Sequence, residues 1–332
     1  MDKIVKKKIY DTLASVRSPY MYHLAVQLIR DFNKKQICGN VDLLRLYQRG
    51  VVPEEVKHFN KVLNIKKALY DYEYFNVCFL NNMVALCVRA VCEGYIPRIE
   101  IINSNGENVW EMLFQQPFSD VKTTGLKEVV VKQRDYLEVF PSFEEVYSRD
   151  RILYWGNAYR LFINFNDDVQ QYIDDEIKTV IDDWKVLGVL CRGTDYIKTR
   201  PKGHPVQPDI QMFISKTKEF FEKGGYHKIY LATEDSRYDK AFREYFGEIL
   251  LINKRQYYDN YYLSQNISLI KDVHFERDND EYLKGLEYLS SLQILSHCQG
   301  LVAGNCSGTQ AAVFWNNGAY EDQYVFDLGL YD

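Results

Sequence analysis

The chain has 332 residues, of which 46% are hydrophobic and 26% are charged, so its composition is that of a globular protein long enough for two domains. Its net charge of −5 argues against a general nucleic-acid binder. No stretch approaches the roughly 20 apolar residues of a membrane-spanning helix, and the basic start lacks the apolar segment of a signal peptide. We therefore expect a soluble cytoplasmic protein with at most peripheral contact to the inner face of the membrane.

The cysteines also argue for a reducing compartment. There are seven of them, an odd number, and no two form a CxxC pair. Most lie within apolar runs, which is typical of buried thiols and not of a disulfide framework or a zinc site.

The N-terminal half predicts helices followed by a βαβ unit. Residues 11–35 repeat apolar side chains at helical spacing, and Pro53 begins a second predicted helix that continues to 65. We predict a strand at 74–80, a helix at 83–94 and a strand at 98–102, and such a succession is typical of a parallel sheet. Shorter helices are predicted within 108–118 and 177–184.

The C-terminal half alternates strands and helices regularly. Strands are predicted at 185–193, 227–233, 248–253 and 301–305, and helices at 208–225, 236–247, 280–300 and 307–318. This alternation predicts an α/β fold with a doubly wound parallel sheet. We expect the domain boundary between 170 and 186, which divides the chain into 1–175 and 176–332.

Ligands of open α/β sheets bind outside the carboxyl ends of the strands, which selects the loops 192–204, 233–237 and 304–310. In the first loop, Arg192 emerges from a buried strand, where a guanidinium can bind a diphosphate through two parallel hydrogen bonds. Gly193 allows a sharp turn or close approach to a ligand. Lys198, Arg200 and Lys202 add positive charge. The alternative is a structural ion pair between Arg192 and Asp195.

The other two loops offer hydroxyls, amides and carboxylates. Small polar residues between a strand and a helix can present N–H groups to an anion at the positive end of the helix. Taken alone, the loop favours an ordinary helix cap by Ser307 or Thr309, but its place beside Arg192 indicates a phosphate-binding loop. Carboxylates at a strand end can accept hydrogen bonds from ribose or a base, but Asp235 could equally be only a cap. The residues concerned are Thr233, Glu234, Asp235, Ser307, Gly308, Thr309 and Gln310.

No metal is expected at this site. GxGxxG, P-loop, HExxH and GxSxG motifs are absent from the sequence. Asp278-Asn279-Asp280 matches the metal-binding DxD pattern, but it precedes a predicted helix, where acidic residues are favoured as caps. Arginine, lysine, hydroxyls and helix N-termini would then neutralise the diphosphate.

The three loops resemble the donor-binding motifs of the GDP-fucose-dependent fucosyltransferases, the superfamily of α1,6-, α1,2- and protein O-fucosyltransferases. That family has a strand followed by H-x-R-R/G-x-D; Arg192 and Asp195 match its arginine and aspartate, and Leu190 replaces the histidine. IYLATED at 229–235 is similar to the family's strand with A-T-D/E-D. Residues 292–312 resemble its L-S-x-x-D-x-L-V followed by S-S-Q.

This resemblance implies a GT-B-like fold of two Rossmann-type domains, with an acceptor-side domain at 1–175 and a nucleotide-sugar domain at 176–332. It implies an inverting, metal-independent, cofactor-free transferase that moves fucose from GDP-fucose to a glycan or lipid-linked glycan. Arg192 would hold the diphosphate, and Thr309 and Gln310 would approach its β-phosphate with Ser307 nearby. The N-terminal half looks like the opening domain of bacterial sugar transferases of this type.

Two parts of the family's machinery have no match here. Arg200 replaces the glutamate that follows the motif in the α1,6 relatives, so Asp195 and His204 are our candidates for the general base, with Thr194 and Tyr196 beside the donor. Ser291 stands near the place of the guanine-binding aspartate. Two alternatives stay open: a transferase for another nucleotide sugar, such as GDP-mannose or a UDP-sugar, and a catalytically inactive nucleotide- or carbohydrate-binding protein.

Overall fold

The computed structural model describes residues 51–69, 74–132, 140–264 and 272–332. The helix predicted at 11–35 lies outside these residues. Within them, no helix combines the length and the apolar character that crossing a bilayer requires.

A three-stranded parallel sheet occupies the N-terminal half, in the strand order β2-β1-β3. Helix α2 connects β1 to β2, so the predicted βαβ unit is present. Its first strand, however, is β1 and not the predicted 74–80. The elements are α1 (Val51–Val56), β1 (Lys61–Ala68), α2 (Val77–Cys92), β2 (Ile96–Ile102) and β3 (Lys127–Lys132).

Residues 77–80 begin helix α2 because Asn76 caps it there. The side chain of Asn76 accepts a hydrogen bond from the N–H of Cys78 at 3.1 Å. Nearly all of α2 is buried, so apolar residues occur on every side of the helix. A short stretch of such a helix is a continuous apolar run, which is also the sequence pattern of a buried strand. The predicted helix at 53–65 is likewise wrong beyond Val56, since β1 begins at Lys61.

Helices connect the two sheets. The predicted short helix in 108–118 is confirmed, and the one predicted at 177–184 is the end of a longer helix; β3 and α4 were not predicted. The elements are α3 (Val109–Leu113), a 3₁₀ helix (Phe143–Tyr147), α4 (Arg149–Phe162) and α5 (Asp167–Ile181).

A five-stranded parallel sheet forms the C-terminal half, in the order β6-β5-β4-β7-β8. The predicted α/β class with two parallel sheets is therefore confirmed, whereas β8, α6 and α9 were not predicted. The strands are β4 (Val186–Cys191), β5 (Lys228–Thr233), β6 (Leu250–Leu251), β7 (Gly300–Ala303) and β8 (Asp322–Val325). The helices are α6 (Thr194–Thr199), α7 (Ile210–Gly224), α8 (Ser236–Phe246), α9 (Asp259–Ser264), α10 (Asp280–His297) and α11 (Ser307–Asn316).

Helices cover both faces of the second sheet. Side chains of β4 alternate between them: Val186 and Leu190 pack with α10 and α11, and Leu187 and Val189 pack with α7 and α8. Burial on both faces explains why β4 is a continuous apolar run, which is typical of the central strand of a parallel sheet.

One hydrophobic core joins the first sheet to the α10–α11 face of the second. Helix α4 packs against α11, and α5 packs against α10. A buried chain of hydrogen bonds crosses the same junction: Tyr159 Oη donates to Asn81 Oδ1, Asn81 Nδ2 donates to Gln310 Oε1 at 3.0 Å, and Gln310 Nε2 donates to the carbonyl of Ser142 at 2.6 Å. The loop that begins α11 is thereby tied to the N-terminal half. The domain boundary between 170 and 186 stays a prediction.

Candidate functional site

The order of strands in the second sheet brings the three predicted loops together. The chain passes from β4 to β5 and β6 on one side, and then returns to β7 on the other side of β4. Leu190 pairs with Ala303 and Cys191 pairs with Thr233, so the three strands end at one edge. The crevice between strands at which the direction of winding reverses is where such sheets bind ligands.

Arg192 lies at this edge in contact with an aromatic side chain. Its guanidinium carbon is 4.6 Å from the centre of the Tyr196 ring, a distance that permits a cation–π interaction. The hydroxyl of Tyr196 is 3.0 Å from His204 Nδ1, and the centres of the Phe143 and His204 rings are 5.7 Å apart. Arg192, Tyr196 and His204 therefore form one contiguous group.

The remaining residues of the first loop do not add to this group. Thr194 and Asp195 belong to α6, but the structure does not describe their side chains. Lys198, Arg200 and Lys202 are exposed, so their charges lie at the surface and not inside the crevice.

Gly193 packs the first loop against the second. Its N–H donates to Glu234 Oε1 at 3.2 Å. A Cβ at this position would lie 2.8 Å from the Tyr238 ring and 2.9 Å from the Asp235 carboxylate, although the φ angle of −114° is one that any residue adopts. Close packing, and not an unusual backbone angle, therefore requires glycine here.

Asp235 and Thr233 hold the second loop. Asp235 is fully buried, caps α8 through the N–H of Arg237 at 3.0 Å, and accepts from Arg237 Nε at 2.8 Å. Thr233 Oγ1 accepts from the N–H of Asp235 at 3.3 Å. Both alternatives for Asp235 were open, and these contacts are those of a helix cap. Glu234 reaches Gly193, directly beside Arg192.

In the third loop, Thr309 and Gln310 direct their polar atoms into the protein. Thr309 Oγ1 donates to the carbonyl of Gly304, and Gln310 bridges Asn81 and Ser142. Ser307 is only half-buried, at the first turn of α11. A Cβ on Gly308 would lie 2.7 Å from Tyr288 Oη, so glycine lets α11 begin beside that tyrosine. Ser307 and the first N–H groups of α11 are thus the donors that this loop offers to a ligand.

Cys78 and Tyr288 border the crevice and were not predicted to do so. Burial raises the pKa of the Cys78 thiol, and Asn82, Ser307 and the charge of Arg192 act against this shift. Cys78 is exposed as a residue, and its thiol lies beside Ser307, so Cys78 stands where α2 meets the loop that begins α11. Burial also raises the pKa of Tyr288, against the charge of Arg192. Cys78 lies in the first turn of α2. The sequence predicted a strand at 74–80, so no helix was expected to begin there and place Cys78 beside the site.

This arrangement suits a diphosphate. A guanidinium, a serine hydroxyl and the N-terminus of a ten-residue helix surround one crevice, and all three favour negative charge. The aromatic rings of Tyr196 and His204 adjoin it and provide an apolar surface next to the charged one.

The Asp278-Asn279-Asp280 segment forms the N-terminus of α10. Asp280 is 1% exposed and accepts hydrogen bonds from Arg277 Nε at 2.8 Å and from the N–H of Phe275 at 3.0 Å. Lys284 Nζ lies 3.3 Å from the same carboxylate. His274, Asp280 and Glu281 are close enough to ligate a metal, but two cations already neutralise Asp280. The expectation of a metal-independent site stays a prediction.

No family model matches the chain, and no curated protein matches it. Among solved structures it is similar to FUT1 of Arabidopsis thaliana in complex with GDP, with a TM-score of 0.46 and 9% identity over 91% of this chain and 78% of that one. It is also similar to the fucosyltransferase NodZ from Bradyrhizobium, with a TM-score of 0.45 and 11% identity over 76% of this chain and 92% of that one. The similarity to POFUT1 in complex with GDP has a TM-score of 0.39 and 8% identity over 80% of this chain and 98% of that one. Residue roles must therefore come from this chain's own geometry.

We expect Gln310→Leu to lower the free energy of unfolding by about 1–3 kcal/mol, because Asn81 Nδ2 and the carbonyl of Ser142 would lose a buried partner. Chemical denaturation measures this loss. Gln171→Leu, an exposed glutamine replaced by the same residue, is the control and should change stability by less than about 0.5 kcal/mol. Equal stability of the two variants would contradict a structural role for Gln310.

We expect Asp280→Asn to cost about 3–5 kcal/mol at pH 7, because it leaves the charge of Lys284, which is 1% exposed, without its carboxylate. Burial raises the pKa of Asp280, but Arg277, the Phe275 N–H and Lys284 together hold it below the ordinary value of 3.8. Such a group contributes stability above its unfolded pKa, and that stability is lost as the pH falls through the folded pKa.

The deficit of Asp280→Asn should therefore shrink as the pH falls below about 4, since unfolded wild-type chains take up a proton on this carboxyl there while the folded state, with its lowered pKa, does so only at lower pH. Denaturant titrations at pH 7 and pH 3 test this, with the exposed Asp278→Asn as the control. A deficit of the same size at both pH values would be incompatible with this account of Asp280.

Proposed function

We propose that this chain is an inverting, metal-independent glycosyltransferase that transfers fucose from GDP-fucose to a hydroxyl group of a glycan acceptor. The observation on which this rests is the position of Arg192, at the carboxyl end of β4 and beside the loop that begins α11. Three motifs that resemble those of GDP-fucose-dependent transferases occur in order along the chain, and their loops meet at this edge.

Donor binding in this proposal uses fixed positive charge. Arg192 binds the diphosphate through two parallel hydrogen bonds, and Ser307 and the N–H groups of α11 bind its remaining oxygens. Charge develops on the diphosphate as the bond to the anomeric carbon breaks, and the sugar acquires oxocarbenium character. Donors already oriented toward that charge stabilise the transition state, so the leaving group needs little acid assistance.

His204 is the general base of the proposal. The hydroxyl of Tyr196 lies 3.0 Å from its Nδ1, and an imidazole is the side chain that most often accepts a proton near neutral pH. Phe143 contacts the His204 ring from the N-terminal half, which is the predicted acceptor side. In the attack, the acceptor oxygen forms the bond to the anomeric carbon from the side opposite GDP, and its proton passes to His204.

The proposal takes the guanine of the nucleotide and the fucose of the donor from the motif resemblance alone. Ser291, near the place of the family's guanine-binding aspartate, is 1% exposed, and its hydroxyl donates to the Glu287 carbonyl at 2.8 Å. A guanine contact would therefore involve another residue, so the nucleotide itself has to be tested.

We expect GDP to stabilise the wild-type chain against heat more than UDP at equal concentration, because a ligand that binds only the native state raises its stability. Arg192→Ala should weaken GDP binding by about 10- to 100-fold, the loss of 1.5–3 kcal/mol that hydrogen bonds to a charged group provide. Arg192→Lys keeps the charge but not the paired N–H groups of the guanidinium, so its affinity for GDP should lie between those of the wild type and Arg192→Ala. Thermal shift and calorimetric titration measure these effects.

Transfer of labelled fucose from GDP-fucose to an acceptor glycan should be abolished in Arg192→Ala and retained in Lys240→Ala, which removes an exposed cation of α8. Unchanged turnover in Arg192→Ala would refute the site. Stabilisation by UDP, or release of mannose from GDP-mannose, would select the transferase for another nucleotide sugar if GDP-fucose neither stabilises the chain nor releases fucose. Binding of GDP without release of fucose would select the inactive binding protein.

We expect His204→Gln to lower kcat by about 100-fold or more while GDP-fucose affinity changes little, because the general base acts on the acceptor and contributes about 10²–10⁴ to the rate. Single-turnover transfer and equilibrium binding of GDP separate the two effects. Tyr196→Phe, which removes only the hydroxyl at Nδ1, should give a smaller loss. Equal loss of affinity and kcat in His204→Gln would mean that His204 binds the donor instead.

A further inference from the structure

The segment that carries His204 is paired with a second stretch of the chain. The N–H of Gly203 donates to the carbonyl of Tyr331 at 3.0 Å, and the N–H of Tyr331 donates back to the carbonyl of His204 at 2.9 Å. The N–H of Val206 donates to the carbonyl of Gly329 at 2.9 Å. These hydrogen bonds make the two stretches one unit, and the position of that unit relative to the third loop of the site decides where His204 lies.

The side chain of Gln207 joins this unit to the third loop. It is 6% exposed, and its Nε2 donates to the carbonyl of Pro205 at 3.1 Å and to the carbonyl of Asn305 at 2.8 Å. A Cβ on Gly304 would collide with Gln207 Oε1, so glycine at 304 makes room for the amide. The two N–H groups of one buried amide therefore connect the backbone just after His204 to the start of the third loop.

Asn305 extends this connection to the N-terminal half. Its Nδ2 donates to the carbonyl of Phe143 and to Tyr147 Oη, both at 3.1 Å. The ring of Phe143 adjoins the ring of His204, with their centres 5.7 Å apart. Contacts thus run from the segment of His204 through Gln207 and Asn305 to Phe143 and back to His204. Since each member of this circuit restrains the next, a change at Gln207 is expected to move the His204 ring.

The separation between His204 and the third loop matters for the proposed reaction. The acceptor oxygen gives its proton to His204 on one side of the sugar, while the diphosphate bound near Ser307 leaves on the other. Misplacement of a reacting group by about 1 Å can lower a rate by about 100-fold. The third loop keeps its other hydrogen bonds without Gln207, because Gln310 and Thr309 bond elsewhere. Loss of the Gln207 amide should therefore displace His204 and leave donor binding intact.

We infer that Gln207 is a positioning residue that sets the place of the His204 ring relative to the loop that binds the donor diphosphate. It acts through the backbone of Pro205 and Asn305 and touches neither substrate. This inference rests on the proposed function, because it takes His204 as the general base and 304–310 as the donor loop. It adds a requirement for catalysis that lies outside the three loops at the sheet edge.

The test is a double-mutant cycle on the full chain between Gln207→Met and His204→Gln. Methionine is unbranched like glutamine but has no N–H groups to donate. Gln207→Met should lower kcat about tenfold or more in the wild type, which corresponds to about 1.4 kcal/mol, but less than about twofold in His204→Gln, where the ring is already absent. The affinity for GDP should stay within about twofold in all four chains. A merely structural role would instead lower activity equally in both backgrounds.

A second measurement does not depend on transfer. In a chain with ¹³C-labelled histidine, the Cε1–H signal of His204 is the one of six that His204→Gln removes. Gln207→Met should move this signal, because the ring changes its distance from Phe143. Tyr331→Phe removes the hydroxyl that accepts from the N–H of Gln207 at 3.2 Å and should also move it, which keeps the test open if Gln207→Met does not fold. Gln171→Met, which changes an exposed glutamine of α5, is the matched control and should leave the signal in place.

Three results would overturn the inference: an unchanged kcat in Gln207→Met, an equal loss of kcat in both backgrounds, or a His204 signal that stays in place in Gln207→Met and Tyr331→Phe. A GDP affinity that falls as far as kcat would also overturn it, since Gln207 would then support donor binding. Absence of fucose transfer by the wild type would refute the proposed function alone, because the His204 signal still shows whether Gln207 positions the ring.

Discussion

The buried side chain of Gln310 joins the two halves of the molecule at the point where the candidate site lies. Its amide group accepts from Asn81 of α2 and donates to the carbonyl of Ser142, and all three residues are buried. Hydrogen bonds of this kind are strong in a low-dielectric interior, and breaking one leaves a costly unpaired group. The loop that begins α11 is therefore fixed in position against the N-terminus of α2, where Ser307 lies beside Cys78.

The rest of the site follows from the strand order. Parallel strands that end in register bring Arg192, Glu234 and Gly304 to one edge, although they are far apart in the chain. Glycines at 193 and 308 let α8 and Tyr288 approach these loops closely. Charged and polar groups are thus oriented before a ligand arrives, which is the condition under which electrostatic stabilisation of a transition state is most effective.

The sequence predicted the second sheet better than the first for a physical reason. Strands β4 and β5 are buried on both faces and are continuous apolar runs, and Gly225 and Gly247 end the helices that flank β5. Strand β1 mixes lysines with apolar residues, and β3 is mostly exposed, so neither stands out from the surrounding sequence. The start of α2 was mistaken for a strand because it is apolar on all sides.

The same limit applies to the site. The loop positions and Arg192 could be predicted from where strands end. Whether Thr309 or Asp235 points outward depends on partners elsewhere in the loop, and Cys78 and Tyr288 come from helices distant in the chain. The contact between Arg192 and the Tyr196 ring has a further effect. An arginine has four rotatable bonds, and here folding itself restricts them, so little side-chain entropy is left to lose when an anion binds.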